Sequence, residues 1–169
     1  MTPSRRSLLQ AAGTLLLGAA RAAQALDKPA AAVVLSITGR VRSPNNGKRA
    51  DFDMAMLEAL PQTSFSTRSP WYGGARRFTG PLLRDVLAAA GAHGSLLRLV
   101  ALNDYWVEMP IEDTALHDVI VARLLDGKPM AVRDKGPLFV IYPFDTSPEL
   151  RNPVHYGRSA WQLRTIDVR

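Results

Sequence analysis

Short apolar runs, mostly alternating with polar residues and broken by turn residues, fill this chain. Residues 33–41 (VVLSITGRV) alternate and predict a strand, and Ser43-Pro44-Asn45-Asn46-Gly47 is a turn cluster. Over 51–60 the period lengthens. Met54, Ala55 and Leu57 fall on one face, Asp51 or Asp53 stands at a cap position and Pro61 stops the run, so a short helix is expected. Residues 63–67 alternate about Phe65 and predict a strand. Residues 69–77 hold two aromatics, Gly73-Gly74 and Arg76-Arg77, and predict a loop. Over 79–90, Leu82, Leu83, Val86 and Leu87 recur at helical spacing. Thr79 can serve as N-cap, Pro81 suits a first turn and Gly91 follows the end.

Further on, strands are expected at 95–101 and 105–109, joined through Asn103-Asp104 as a hairpin. Residues 111–117 predict a helical turn with Glu112 and Asp113 near its start. A strand is expected at 119–125, turning at Asp126-Gly127 into 129–132. A charged turn at 133–137 leads to an apolar strand at 138–142. Residues 145–156 are polar and proline-marked and predict an irregular loop; 159–168 alternate and predict the last strand. Many strands, few short helices and no regular βαβ alternation give an α+β fold with a mixed, largely antiparallel sheet.

The first 25 residues have a different character. Ser4-Arg5-Arg6-Ser7-Leu8-Leu9 is a twin-arginine stretch, the apolar run 8–20 is too short to span a bilayer, and Ala23-Gln24-Ala25 fits a cleavage site. Residues 1–25 are thus expected to be a twin-arginine signal peptide. Residues 26–169 would form one periplasmic domain with no membrane span. Loss of Arg5, Arg6 and Arg21 takes three charges from the formal +6 and leaves about +3, too mild a charge to indicate nucleic acid. The chain has no cysteine, which excludes disulfides, thiolate metal ligands and thiol catalysis.

Candidate chemistry is sparse. His93, His117 and His155 stand apart in sequence, and Ser69 lacks the glycines of a nucleophile elbow. Glu108, Glu112 and Asp113 read as a solvated face. A strand passing through a glycine-rich basic loop into a helix N-terminus suits an anion, with Arg76 and Arg77 adding charge; on spacing alone an ordinary connection with surface arginines is the simpler reading. Aromatics cluster at turns and strand ends. Trp71 and Tyr72, with Arg76, Arg77, Arg133, Lys135 and Arg158, could line a pocket for a small flat anionic ligand; the alternative is peripheral packing.

Several segments taken in order carry a family resemblance: Met56-Leu57-Glu58-Ala59-Leu60-Pro61, Phe78-Thr79-Gly80-Pro81-Leu82-Leu83-Arg84-Asp85-Val86-Leu87, Asn103-Asp104-Tyr105, Leu125-Asp126-Gly127-Lys128-Pro129-Met130, Lys135-Gly136-Pro137-Leu138 and Trp161-Gln162-Leu163-Arg164-Thr165-Ile166. Together they resemble the molybdopterin-binding domain of the sulfite-oxidase type. The resemblance implies that fold, a molybdopterin cofactor and oxidoreductase chemistry. Trp71, Tyr72, Arg76, Arg77, Arg133, Lys135 and Arg158 would then be the pterin or phosphate contacts. It also implies a cysteine ligand to molybdenum in the loop after residues 63–67. Here that loop reads Arg68-Ser69-Pro70-Trp71, so Ser69 is the conceivable metal ligand. Two expectations follow: a molybdopterin-dependent oxidoreductase with a redox partner, or a non-catalytic periplasmic module that binds a pterin or other small anion, or a membrane sensor.

Overall fold

The computed structural model describes residues 26–169. The twin-arginine segment at 1–25 lies outside the described residues. Strand β1 (Val33–Gly39) is followed by β2 (Ala50–Asp53), α1 (Met54–Ala59) and β3 (Gln62–Thr67). Next come β4 (Arg76–Pro81), α2 (Leu83–Ala89), β5 (Leu96–Ala101), β6 (Trp106–Pro110) and α3 (Asp113–Leu116). The rest comprises β7 (Ile120–Ala122), β8 (Leu124–Leu125), β9 (Lys128–Pro129), β10 (Phe139–Ile141), α4 (Pro153–Arg158), β11 (Ala160–Trp161) and β12 (Leu163–Val168).

The fold is mixed α/β, with mostly antiparallel sheets and few helices. The largest sheet has the order β2-β1-β12-β5-β6, and only β1 and β12 within it run parallel. A three-stranded sheet, β11-β10-β7, and a four-stranded sheet, β3-β4-β8-β9, complete it. Alternation places Leu35 and Ile37 of β1, Leu97 and Leu99 of β5 and Ile166 of β12 in one buried core. No helix among the described residues is long and apolar enough to cross a membrane.

Asp53 caps α1, accepting from the Met56 N–H at 2.9 Å. The same carboxylate accepts from the backbone N–H groups of Ala30 and Ala31, which ties the start of the domain to the helix. Only Leu57 of α1 is buried; Ala55 is exposed rather than inward.

Five expectations change. The helix expected over 51–60 begins only at Met54, because Ala50–Asp53 pairs with β1 as strand β2. The helix expected from Thr79 begins only at Leu83, and residues 76–81 form a strand antiparallel to β3. Thr79 does not cap; its Oγ1 lies 2.6 Å from Ser64 Oγ across the pair. Gly80 lets this strand run against Val121, because a methyl here would fall on the Val121 carbonyl. The basic loop is therefore the tip of a hairpin and does not feed a helix N-terminus, so the anion argument built on that terminus falls. The run 119–125 splits at Arg123, whose guanidinium bonds Gln62 and Glu58, and its two halves join different sheets.

Residues 145–156 are not irregular throughout. Asn152 caps α4 by accepting from the Val154 and His155 N–H groups, and Pro153 occupies the first turn. The final run 159–168 breaks at Gln162, with φ of 53°, so β11 and β12 lie in different sheets.

Candidate functional site

The hairpin tip at 68–75 is fastened at its base. Thr67 Oγ1 accepts from the Asp145 N–H at 3.0 Å, and Asp145 Oδ2 accepts from the Arg68 N–H at 2.9 Å. That backbone bond is the main cause holding the Asp145 carboxyl below its ordinary range. So anchored, the loop delivers the half-buried Trp71 into a group of rings. Its ring centroid lies 5.4 Å from Phe139, 5.5 Å from Trp161, and 6.2 Å from both Phe144 and Tyr156. The Trp71–Tyr156 and Trp71–Trp161 planes stand at 82° and 74°, the edge-to-face arrangement that aromatic quadrupoles favour.

On the open side of these rings is a cavity of 260 Å³ lined by Pro70, Trp71, Tyr105, Tyr156, Ala160 and Trp161, among others. The walls thus come from the hairpin loop, the β5–β6 turn, α4 and β11. The lining is largely apolar. Ser69, next in the chain to Pro70, has its Oγ buried with no hydrogen-bond partner among the described residues.

Tyr72 packs on Phe78 at 5.9 Å and collects two cations. Arg76 Cζ lies 5.7 Å and Lys135 Nζ 5.5 Å from its ring centre. Burial pushes the Tyr72 hydroxyl above its ordinary pKa, against the opposing pull of Arg76. Lys135 Nζ also stands 5.4 Å from the Trp161 ring centre and has no ion pair among the described residues. Its backbone is left-handed, with φ of 74°, and its carbonyl accepts from the Gln162 N–H at 3.0 Å. Two non-glycine residues in sparsely populated backbone conformations thus flank Trp161 and hold the lysine against it.

Of the residues singled out from sequence, the structure brings together Trp71, Tyr72, Arg76 and Lys135. The others go elsewhere. Strand alternation in β4 sends Arg77 to the face opposite Arg76, exposed to solvent. Arg133 is 88% exposed beside Asp134. Arg158 turns away from the rings and pairs with Asp113 at 2.8 Å. Arg76 itself pairs with Asp126 at 2.5 Å. Trp71, Arg76, Arg133 and Arg158 do not surround one cleft, because acidic partners or solvent claim each guanidinium.

A second group of polar residues escaped the sequence reading. Asp113 is not on a solvated face. It is buried, and its Oδ2 accepts from the Tyr142 hydroxyl at 2.5 Å and from Arg158 Nη1 at 2.8 Å. The His155 ring packs on the Tyr142 ring at 5.3 Å and on His117 at 5.8 Å, so these two histidines are neighbours. They stand 38 positions apart in the chain, and no local pattern joins them. Desolvation chiefly lowers the His155 pKa, helped by Arg158 and His117 and opposed by Asp113 and Glu149.

As donors for molybdenum carried on a pterin these residues do not fit. The chain has no thiol, and no group of three or more His, Asp or Glu among the described residues could hold a metal. The arginines that would meet a cofactor phosphate are paired or turned to solvent. No protein-family model matches the chain, and a search of curated proteins finds no match either.

Proposed function

We propose that the chain is an exported, periplasmic, non-catalytic binding module on a sulfite-oxidase-type fold, and that its ligand is a flat, largely apolar ring system bearing one negative charge. The observation that supports this reading is the convergence of Trp71, Tyr105, Tyr156 and Trp161 on a cavity of 260 Å³. Ring walls favour a planar guest by stacking and area burial. Lys135 supplies positive potential at the Trp161 wall, and the unpartnered Ser69 hydroxyl lies beside Pro70 in the chain. A single charge suits a site whose one cation without an ion pair among the described residues is Lys135; a phosphate ester would need more. Free pterin carboxylates belong to this ligand class. Occupancy of the pocket is then the state that a membrane sensor partner would read.

A molybdopterin-dependent oxidoreductase, which the family resemblance implies, would have to rely on Ser69 as its metal donor. Two measurements on the exported chain separate the readings. Calorimetric titration with 2-naphthoate and with pterin-6-carboxylate is expected to give saturable one-site binding, weakened about tenfold or more by Trp71→Ala. Absence of saturable binding for both probes overturns the proposal. Mass spectrometry of the purified protein is expected to find no stoichiometric molybdenum; one molybdenum per chain would establish the redox reading instead.

A further inference from the structure

Helix α4 belongs to two neighbourhoods at once. Tyr156 and Gly157 line the aromatic pocket. His155 and Arg158, on either side of them in the chain, face the buried Asp113 and Tyr142. The helix has only six residues, held at one end by the Asn152 cap and at the other by the Arg158–Asp113 pair. So short a helix has little stability of its own and depends on its docking contacts.

Those contacts leave no uncommitted buried carboxylate for a second cation. Asp113 Oδ2 already accepts from both the Tyr142 hydroxyl and the Arg158 guanidinium. Arg158 and Asp113 neutralise each other. Around the His155 ring stand Arg158 on its own helix, Asp113 and His117 on or just after α3, Tyr142 after β10, and Glu149 in the 3₁₀ turn Pro148–Leu150. Glu149 is exposed and engaged with the Ser147 hydroxyl at 3.0 Å. His155 Nδ1 lies 3.0 Å from Asn152 Nδ2, the amide that donates to the Glu149 carbonyl at 2.6 Å. In the neutral ring that nitrogen can accept from the amide. In the imidazolium it carries a proton and faces a second donor.

We propose that α4 is an acid-sensitive latch on the aromatic pocket: a proton on His155 breaks its contact with Asn152, adds charge beside Arg158, loosens α4 and withdraws the Tyr156 wall. The ligand-release part of this device rests on the binding function proposed above; the loosening of α4 does not. The lowered pKa of His155 fixes the direction. A base with a depressed folded pKa stabilises the docked state fully above its ordinary value of 6.5. That contribution is lost as pH falls below 6.5 towards the depressed value.

The test uses the whole domain and a readout independent of ligand. Amide hydrogen exchange at Tyr156 and Arg158, corrected for the intrinsic pH dependence of exchange, is compared at pH 7.5 and pH 5.5. Protection in α4 is expected to fall by about threefold or more at the lower pH, with β5 and β12 amides unchanged. His155→Gln, which keeps an acceptor for Asn152 but cannot titrate, is expected to abolish that pH dependence; His93→Gln, at an exposed position, is expected to keep it. Protection in α4 that is independent of pH, or equally pH-dependent in His155→Gln, overturns the latch. In a parallel arm, the affinity for 2-naphthoate is expected to drop over the same interval. If α4 loosens and 2-naphthoate binds at neither pH, the binding function fails while the latch stands. If 2-naphthoate binds equally at both values, ligand release is overturned.

Discussion

Tyr142→Phe isolates a single hydroxyl in the buried network. Tyr142 is fully buried, and its hydroxyl donates to Asp113 at 2.5 Å. Burial, reinforced by the adjacent carboxylate, drives its pKa well above the ordinary phenol value, so it is a donor at every physiological pH. Phenylalanine preserves the stacked contact with Phe144 at 6.1 Å and the edge contact with His155, so no cavity opens. What is lost is one hydrogen bond to a charged acceptor, a class that contributes about 1.5–3 kcal/mol. Asp113 keeps Arg158 and is not orphaned, which places the expected loss near the lower end, about 1.5–2 kcal/mol. Urea unfolding at pH 7 should show a lower midpoint with an unchanged slope. Arg158→Met should cost more, about 3 kcal/mol, because it strips the counter-charge from a buried carboxylate. A loss below about 0.5 kcal/mol for Tyr142→Phe would refute the assignment of Asp113 and Tyr142 as a coupled pair holding α4.

Three further outcomes are expected. Burial alone would raise the Asp51 pKa, but hydrogen bonds from Ser36, Asn46 and Arg49 prevail and lower it. Its contribution to stability is therefore present above pH 3.8 and lost as pH falls through the depressed folded value. Asp51→Asn should flatten the acid limb of a stability–pH curve measured by thermal unfolding. Gly80→Ala drives a methyl into the Val121 backbone and should cost more than about 3 kcal/mol or prevent folding. Gly73→Ala, with open space around it, should stay within about 0.5 kcal/mol by the same circular-dichroism melt. Arg98 stacks 4.0 Å from the Trp106 ring centre and bonds the cross-strand Glu108, so Arg98→Ala should cost about 1 kcal/mol. The ionic part of that loss should fade in 1 M salt.

Local pattern made β1, β5 and β6 of the largest sheet legible, because the alternation of each strand and the Asn103-Asp104 turn are each written within a few neighbouring residues. Strand β2 was not, because Ala50–Asp53 runs directly into α1 and reads as its start. The β4–α2 boundary was not legible in the same way. Thr79 and Pro81 suit a helix start as well as a strand end, and what selects the strand is Gly80 meeting β7 about forty positions on. The Gln162 break is equally remote in cause, since its N–H is held by the Lys135 carbonyl. The aromatic pocket was half visible: Trp71 and the turn-end rings pointed to it. Which cations would join them depended on which carboxylates reached them first. Asp113 lies 29 positions from Tyr142 and 45 from Arg158, and no short-range signal encodes that junction.

Strand β12 sits in the middle of the largest sheet, parallel to β1 on one side and antiparallel to β5 on the other. Both partners precede it in the chain, β1 by more than a hundred residues; Thr38 and Asp167 bond across a separation of 129. On the ribosome, β2-β1 and β5-β6 can form only as separate hairpin-like halves, each with an open edge. They are joined when Leu163–Val168 emerges. Closure of a loop that long delays completion of this sheet until β12 is available, so nascent chains arrested before β12 has emerged should remain protease-sensitive.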